Sequence, residues 1–363
     1  RRQRQMCIRD RSLFIRSLEG YSRRRLTTLF HRWTTWIRKN MYERQDMSVD
    51  HAIATLTINP CLDVSVEVDT MAPTRKMRCH DVRRDPGGGG INVSRAVSLL
   101  GGRSMAIFPA GGSTGRSIGD MLKQQHIENH PVHINDMTRE SFSVRVTESG
   151  EQYRFVLPGP ELREEEWQRC IQAVTGLAPA PDFLVASGSL PPGVPADFYT
   201  ELAEHFSGSA TKIILDTSGE PLKRALEIGV YLIKPNRREL EEICDCSLSE
   251  EKDQEKVCRD LVDSGRCEAL ALSLGKDGAL LTTRDDQLRV AGLEVKEVSS
   301  VGAGDSFVGA MVFSLHQGKQ IHEAFLYGMA AGTAALLTEG TELCRKDDTE
   351  KIFRKLEQNR KWL

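Results

Sequence analysis

Short apolar runs rich in β-branched residues alternate with longer amphipathic stretches from His51 onward. The short runs predict buried strands, and the amphipathic stretches predict helices. The predicted strands are Ile53–Ile58, Ser104–Phe108, Phe183–Ser187, Lys212–Asp216, Tyr231–Ile233 and Ala269–Leu274. The predicted helices are Ile91–Leu100, Gly115–Gln125, Glu164–Val174, Ala196–His205, Pro221–Ile228, Arg237–Ile243, Lys256–Ser264, Ala303–His316 and His322–Leu337. This alternation predicts one α/β domain with a mostly parallel central sheet.

Two segments interrupt the alternation. Val64–Val68 and Phe142–Leu157 have strand character at places where a helix is expected, and residues 148–151 resemble a hairpin turn. Such strands do not easily join a parallel core, so we expect a small antiparallel β-sheet lid near residues 62–80 and 138–158. A lid beside the carboxyl ends of the parallel strands would cover the crevice where α/β proteins bind ligands. Its exposed face is a candidate surface for a homodimer.

The first 48 residues differ in composition from the rest of the chain. Residues 1–50 hold thirteen Lys or Arg and five Asp or Glu, a net charge of about +8, while the whole chain carries −2. An Arg-rich leader resembles a transit peptide, but Asp10, Glu19 and other acids favour a disordered or non-native segment with the native start at Met47. We therefore expect the folded domain to span residues 49–363. That part is acidic, which argues against nucleic-acid partners.

The cysteines indicate a reducing compartment. Nine are scattered along the chain without a CxxC pair or the His spacing of a zinc site. No apolar run approaches the roughly 20 residues that a membrane span requires. We therefore expect a cytoplasmic protein that does not bind membranes.

The strongest chemical signal is Val301–Phe307, a Gly-Ala-Gly-Asp turn that enters an apolar helix. The first N–H groups of a helix have no internal partner, so those near Gly302, Ala303 and Gly304 can bind a transferring phosphoryl group. Asp305 in the first turn can take a proton from a substrate hydroxyl as a general base. The alternative is a structural aspartate in a glycine-rich turn, which is common.

A second glycine cluster, Pro86–Val93, contains four successive glycines. Bare backbone at Gly88 and Gly89 lets a polyhydroxylated ligand lie close to a helix N-terminus. Asn92 offers both a donor and an acceptor for a sugar hydroxyl. A flexible loop is the alternative. The chain has neither a dinucleotide fingerprint nor a Walker-type phosphate loop.

Several separated motifs, in order, resemble the ribokinase/PfkB family of carbohydrate kinases from about His51 to near the C-terminus. The motifs are both glycine clusters, Asn59–Asp63, Ser187–Gly193, Lys234–Glu239, Phe108–Gly115 and Ser149–Phe155. The resemblance implies a three-layer α/β/α fold of the ribokinase type. It also implies a phosphotransferase that uses ATP and Mg²⁺, with potassium as an open question.

Within the family, the resemblance implies transfer of the γ-phosphoryl group of MgATP to the 1-hydroxyl of fructose 6-phosphate in glycolysis. Kinases of fructose 1-phosphate and tagatose 6-phosphate typically have a lysine where this chain has Gly89. Those two substrates remain alternatives, as does a non-catalytic regulator that binds sugar phosphates.

The resemblance also assigns binding roles. It implies that Asp63, Gly88, Gly89, Asn92 and Ser189 bind the sugar. Arg139, at the base of the lid, would pair with the substrate phosphate, a task that suits its planar fork. Arg78 and Lys76 would also reach a phosphate, with Arg78 assigned to the substrate and Lys76 to ATP. For Arg139 and Lys76, a solvated charge on the lid is the alternative.

The remaining assignments concern ATP and metals. Asn236 and Glu239 would hold Mg²⁺ through water, although the same N-x-x-E pattern also forms a helix-capping box. Lys234 would neutralise phosphate charge. ATP-binding residues implied by the resemblance are Lys76, Lys234, Asn236, Ser273, Gly275 and Gly278. Carbonyl groups near Ala335 and Gly340 could bind potassium, but Thr338 and Glu342 depart from the residues usual in similar kinases.

Overall fold

The computed structural model describes residues 52–358 and 360–362. Its strands are β1 Ile53–Leu56, β2 Cys61–Val68, β3 His80–Gly87, β4 Met105–Ala110, β5 Glu128–His133, β6 Arg139–Val146, β7 Gln152–Val156, β8 Phe183–Ser187, β9 Lys212–Asp216, β10 Val230–Ile233, β11 Cys267–Ser273, β12 Ala279–Thr283, β13 Gln287–Val290 and β14 Arg360–Trp362. Its α-helices are α1 Gly89–Leu99, α2 Gly112–Gln124, α3 Glu164–Thr175, α4 Phe198–His205, α5 Gly219–Ala225, α6 Arg237–Cys244, α7 Glu251–Asp263, α8 Ala303–His316, α9 Ile321–Ala335 and α10 Lys346–Leu356. The basic leader of residues 1–48 lies outside the described residues.

A ten-stranded sheet forms the centre, in the order β14-β13-β12-β11-β10-β9-β8-β1-β4-β5. Neighbouring strands from β11 to β5 run parallel, whereas β11, β12, β13 and β14 pair antiparallel. The mostly parallel sheet is confirmed. The carboxyl ends of the parallel strands meet at one edge, which is where such sheets place ligands.

Helices cover both faces of this sheet and make three layers. One buried cluster joins the sheet to residues of α3, α4, α5, α6 and α7, such as Trp167 and Leu240. The other joins it to residues of α1, α8, α9 and α10, such as Val93 and Phe325. The near-continuous apolar runs of the parallel strands follow from this arrangement, because both faces of each strand are covered. The predicted three-layer fold is therefore confirmed.

The lid is a separate sheet in the order β3-β2-β6-β7. The predicted hairpin is present, since β6 and β7 pair antiparallel with Arg145 opposite Gln152. The prediction of an antiparallel lid is wrong for the central pair, because β2 and β6 run parallel. The lid also contains β3, beyond the predicted bound at residue 80. The polar, proline-containing sequence of β3 concealed that strand.

The predicted core elements agree with the structure apart from their ends. Phe183–Ser187, Lys212–Asp216 and Ala303–His316 have the predicted bounds. The prediction missed β5, an edge strand that contains Pro131, a residue tolerated at a sheet edge. It also missed β12, β13, β14 and α10, which lie beyond the regular alternation. Helix α10 buries only Thr349, Ile352 and Leu356, so its apolar stripe is narrow.

Close contact between α1 and α8 depends on Gly309. A Cβ atom there would lie 2.7 Å from Cβ of Ala96 and 3.0 Å from the carbonyl oxygen of Val93. We expect Gly309→Ala to lower the free energy of unfolding by about 1 kcal/mol or more in urea denaturation, because overpacking typically costs about 1–3 kcal/mol.

Gly119 in α2 provides the matched control, since a Cβ there would have its nearest neighbour at 3.5 Å. Gly119→Ala should raise the free energy of unfolding by up to about 1 kcal/mol, because alanine favours helix interiors. Equal effects of the two substitutions would contradict the tight approach of α1 and α8.

Candidate active site

Two adjoining depressions lie at the carboxyl edge of the parallel strands. The inner cavity has a volume of about 450 Å³ and is bounded by the lid on one side. Predicted site residues that line it are Asp63, Gly88, Gly89, Asn92, Arg139, Ser189, Lys234, Asn236, Glu239, Gly302, Gly304 and Asp305. The structure therefore brings together residues that are far apart along the chain.

The outer groove has a volume of about 870 Å³. Predicted residues that line it are Lys234, Asn236, Ser273, Gly275, Gly278, Ala303 and Gly304. Lys234, Asn236 and Gly304 line both spaces, so the inner cavity and outer groove meet there. Two ligands could thus place their reacting ends beside the start of α8.

Gly302 caps the N-terminus of helix α8, and its φ of 75° is in the left-handed region that glycine adopts without strain. The N–H of Ser306 donates to the carbonyl oxygen of Gly302 at 2.8 Å and starts the helical hydrogen bonds. The N–H of Ala303 instead donates to the carbonyl oxygen of Ser300 at 3.4 Å. The amides of Gly304 and Asp305 precede the first helical bond and are the ones best suited to bind an anion.

The Asp305 carboxyl group lines the inner cavity at the first turn of α8. Burial and the nearby charge of Asp216 raise the pKa of Asp305 to about 6, while the Asn92 amide and Lys234 oppose the shift. A carboxylate with a pKa near neutrality is a better proton acceptor than an ordinary aspartate and is still ionised at pH 7. These properties suit the role of general base.

Asn92 has a second role beside its predicted contact with the sugar, which stays a prediction. Its Nδ2 donates to Oδ2 of Asp305 at 2.9 Å, and its Oδ1 accepts from Nη1 of Arg95 at 3.2 Å. The amide lines the inner cavity, but its hydrogen bonds in this structure hold Asp305. Sequence reasoning missed this role because the two residues are distant along the chain.

Asp216 is a site residue that sequence reasoning also missed. It ends strand β9, and its Oδ1 lies 3.1 Å from Nζ of the buried Lys234. Burial alone would lower the pKa of Lys234, but the ion pair with Asp216 and the charges of Glu239 and Asp305 together outweigh burial and raise it. Lys234 therefore stays charged. The position of Asp216 at the carboxyl end of a predicted parallel strand was the available signal.

The glycine cluster brings backbone against the floor of the inner cavity. Gly88 caps α1 with a φ of 110°, which disfavours any side chain. A Cβ atom at Gly89 would lie 2.1 Å from Oγ of Ser187. The glycine cluster is therefore the start of a helix and not a flexible loop. Position 89 has no room for a lysine side chain.

The lid side of the inner cavity carries Asp63 and Arg139. Burial raises the pKa of Asp63, whose Oδ1 accepts a hydrogen bond from the Cys61 thiol at 3.0 Å. Arg139 donates to the carbonyl oxygens of Leu157 and Asn59, and its Nε is buried without a hydrogen-bond partner among the described residues. That free donor suits an anionic ligand.

Lys76 and Arg78 are not brought to either space. Both lie in the exposed connection between β2 and β3, and neither lines the inner cavity or the outer groove. The connection has no regular secondary structure at these two residues. Their contact with a phosphate stays a prediction.

Asn236 and Glu239 form the capping box that was the structural alternative. Asn236 Oδ1 accepts from the N–H of Glu239, and Glu239 Oε2 accepts from the N–H of Asn236, both at 2.9 Å. Burial raises the pKa of Glu239, and its backbone bond and Lys234 oppose that shift. The same two residues therefore cap α6 and line the inner cavity.

The charges of the site fit Mg²⁺. Asp216, Glu239 and Asp305 all act electrostatically on Lys234, which leaves an excess of negative charge that a divalent cation would neutralise. Among the described residues, the cluster of three side chains that could hold an ion is Glu67, His80 and Asp81 on the lid, outside the inner cavity. Magnesium commonly keeps several waters and binds few protein groups, so the sparse donors of the site are compatible with it.

The carbonyl groups assigned to potassium lie near the start of α8. The carbonyl oxygen of Gly340 accepts from Oγ of Ser299 at 3.3 Å, and that of Ala335 accepts from Oγ1 of Thr338 at 2.8 Å. Thr338 Oγ1 also contacts the carbonyl oxygen of Glu342. Potassium binding there stays a prediction.

The family described as pfkB family carbohydrate kinase matches residues 53–348. The chain is 46% identical over 301 residues to the ATP-dependent 6-phosphofructokinase isozyme 2 of Mycobacterium tuberculosis, covering 83% of this chain and 88% of that protein. It is 42% identical over 302 residues to the isozyme of the same name from Escherichia coli, covering 83% and 97%. A 1-phosphofructokinase of Borreliella burgdorferi is 32% identical over 302 residues, covering 83% and 96%.

A solved structure agrees with these sequence matches. The crystal structure of phosphofructokinase-2 from Escherichia coli in complex with fructose-6-phosphate matches with a TM-score of 0.79 and 41% sequence identity. The match covers 84% of this chain and 99% of that chain. Across the part of this chain that the structure describes, no helix is long and apolar enough to cross a membrane.

The ion pair of Asp216 and Lys234 yields a stability prediction. Asp216→Asn removes the carboxylate that is paired with the buried ammonium, and breaking a buried pair in this way typically costs about 3–5 kcal/mol. We expect a loss of that order in the free energy of unfolding, measured by urea denaturation at pH 7.

Glu220→Gln is the matched control, because Glu220 pairs with Arg224 at 2.9 Å on the exposed surface of α5. Exposed pairs contribute about 0–1 kcal/mol, so this substitution should change stability little. A similar small effect at Asp216 would show that Lys234 does not depend on the ion pair.

Proposed function

This chain belongs to the pfkB family of carbohydrate kinases, and we propose that it is an ATP-dependent 6-phosphofructokinase. The reaction transfers the γ-phosphoryl group of ATP to the 1-hydroxyl of fructose 6-phosphate and gives fructose 1,6-bisphosphate. The observation that carries the proposal is the position of Asp305, in the inner cavity beside the residues that also line the outer groove. Relatives named as this enzyme are 42% and 46% identical to the chain.

The sugar phosphate occupies the inner cavity, where Asp63 accepts hydrogen bonds from its hydroxyl groups. Asp305 removes the proton of the attacking hydroxyl as that oxygen bonds to phosphorus. The amides of Gly304 and Asp305 and the positive end of α8 stabilise the negative charge of the transferring group. Closure of the lid excludes water, which would otherwise compete as the phosphoryl acceptor.

ATP occupies the outer groove, whose apolar side chains, including Leu293, Phe307 and Met329, suit the adenine base. Its phosphates approach Lys234 at the junction with the inner cavity. Asn236 and Glu239 would hold the magnesium ion that accompanies ATP, and that ion would neutralise phosphate charge. Ser273, Gly275 and Gly278 form the backbone wall of the groove.

Two features favour a 6-phosphate substrate. Ser187 leaves no room for a lysine at position 89, which similar kinases of the alternative substrates carry. On the lid, Arg139 and Arg154 both line the inner cavity, and their positive charges oppose the rise that burial causes in the pKa of Asp63. The two guanidinium groups would bind the phosphate at the end of the sugar opposite the reacting hydroxyl.

A homodimer through the lid is part of the proposal. The edge strand β7 is exposed along its length, and Phe155 and Val156 are 50% and 64% exposed. Apolar side chains on an unpaired edge strand mark an interaction surface. A monomer in sedimentation analysis at micromolar concentration would contradict this assembly.

A substrate panel tests the function. Fructose 6-phosphate, tagatose 6-phosphate and fructose 1-phosphate are each supplied with MgATP, and release of ADP is followed in a coupled assay. We expect the highest kcat/KM for fructose 6-phosphate and no activity after chelation of magnesium. A higher kcat/KM for another sugar phosphate would replace the substrate, and no ADP release with any of them would favour the non-catalytic regulator.

Replacement of the base gives a second prediction. Asp305→Asn should lower kcat by at least about 100-fold with nearly unchanged binding of fructose 6-phosphate, because the amide cannot accept the proton. Asp120→Asn on the exposed surface of α2 is the control and should match the unsubstituted protein. Retention of most turnover by the Asp305 variant would rule out the assigned base.

The Asp305→Asn variant also shows which group causes the pH dependence of kcat/KM. Only ionised Asp305 can accept a proton, so kcat/KM should fall as pH falls through about 6, the pKa of the group. The substrate phosphate also titrates near pH 6. Because Asp305→Asn removes only the enzyme group, its residual rate should lack the fall that Asp305 causes. A profile of unchanged shape would assign the titration to the substrate.

A further inference from the structure

Arg95 is a buried arginine that lines neither the inner cavity nor the outer groove. Its guanidinium group donates to Oδ1 of Asp85 at 3.1 Å, to the carbonyl oxygen of Pro86 at 3.1 Å and to Oδ1 of Asn92 at 3.2 Å. Its Nε atom, where the guanidinium group joins the aliphatic stem, donates to Oε1 of Gln125 at 3.2 Å. A charged group buried in this way requires such partners.

The contact with Asn92 restricts how that side chain can be oriented. An arginine only donates hydrogen bonds, so it can be satisfied by the oxygen of the Asn92 amide and not by the nitrogen. With Oδ1 held by Arg95, Nδ2 points to the other side and donates to Asp305 at 2.9 Å. The flipped amide would place oxygen against carboxylate and nitrogen against guanidinium, and both contacts would be repulsive.

We propose that Arg95 is a positioning residue for phosphoryl transfer, which fixes the Asn92 amide in the orientation that donates to the Asp305 carboxylate. This inference rests on the proposed function and deepens it. Arg95 does not touch the reacting groups. It acts through one neighbour, and its effect on the base is the hydrogen bond that Asn92 donates.

Arg95 is itself held by groups from several elements. Oδ2 of Asp85 accepts from Oγ1 of Thr341 at 2.6 Å and lies 3.0 Å from Nε of Arg83. Arg83 and Asp85 belong to β3 of the lid, whereas Thr341 belongs to the loop after α9. The orientation of Asn92 therefore depends on contacts between the lid, α1 and the C-terminal part of the domain.

Loss of the hydrogen bond has a defined effect on Asp305. The charged groups that act on its carboxyl group are Asp216 from β9, Lys234 after β10, Asp63 from β2 and Arg95 from α1. Asp216 and Asp63 raise the pKa of Asp305, whereas the Asn92 amide and Lys234 lower it. An Asn92 amide free to flip would no longer favour the ionised form, so the pKa of Asp305 would rise.

Arg95→Lys is the central test, because lysine keeps a positive charge near Asp85 but cannot bridge it to Asn92. We expect kcat to fall roughly 10-fold or more while KM for both substrates changes less than about 3-fold, the pattern of a lost transition-state interaction. The acid limb of the kcat/KM profile should move to higher pH. An unchanged limb would overturn the proposal.

Two comparisons separate positioning from a structural role. Gln125→Ala removes the outer partner of Arg95 and should leave both kcat and the acid limb unchanged. In an Asn92→Ala background, Arg95→Lys should cause no further shift of the limb, because residues that act in sequence are not additive. An additive shift, or a shift in the Gln125 variant, would count against an action through Asn92.

A readout without substrate completes the test. The ¹³Cγ resonance of Asp305, assigned by its loss in Asp305→Asn, is titrated in the unsubstituted protein, in Arg95→Lys and in Arg95→Gln. We expect the midpoint to rise in both variants, with the larger change for Arg95→Gln, because that variant also loses the positive charge. If Arg95→Lys does not fold, Arg95→Gln decides by comparison with the same substitution in the Asn92→Ala background, where only the effect of the lost charge should remain. An unchanged midpoint in a folded variant refutes positioning, whereas absence of turnover with every sugar phosphate refutes only the proposed function.

Discussion

The hydrogen bond between Asn92 and Asp305 joins the starts of two helices that are 213 residues apart in the chain. Both helices begin at glycines with positive φ, Gly88 and Gly302, so backbone can approach a ligand at either start. Their bodies pack closely because Gly309 presents no side chain to α1. The glycine-rich floor of the inner cavity and the Asp305 carboxylate are thereby held in a fixed relative position.

The charges around the inner cavity explain why this arrangement needs support from the rest of the domain. Asp216, Glu239 and Asp305 act on a single buried lysine, Lys234, so the site is rich in negative charge before any phosphate enters. Burial raises the pKa of Asp305, and the negative charges of Asp216 and Asp63 add to that shift. The excess of negative charge fits the proposed binding of ATP together with a divalent cation. Positive charge on the lid side of the inner cavity comes from Arg139 and Arg154. In the proposed reaction these two residues bind the phosphate of the sugar, and Lys234 faces the phosphates of ATP.

Several elements were predictable because the local hydrophobic pattern of their residues matches the burial of those residues in the folded domain. The strands Phe183–Ser187 and Lys212–Asp216 are continuous apolar runs covered on both faces, and the helix Ala303–His316 follows a glycine turn. The lid strand His80–Gly87 was not predictable in this way. Its first half is mostly exposed and polar, and what makes it a strand is pairing with β2.

For the site, the sequence by itself determined the positions of the residues proposed to carry the chemistry: two glycine-rich helix starts, Asp305, and a lysine after a parallel strand. Tertiary structure alone decided their pairing, including the Asp216–Lys234 ion pair and the contact of Asn92 with Asp305. It also left Lys76 and Arg78 outside both the inner cavity and the outer groove. The physical reason is that glycine conformations and helix starts are local properties, which a few neighbouring residues specify. Burial, charge pairing and amide orientation depend on groups distant in the chain, and only folding brings those together.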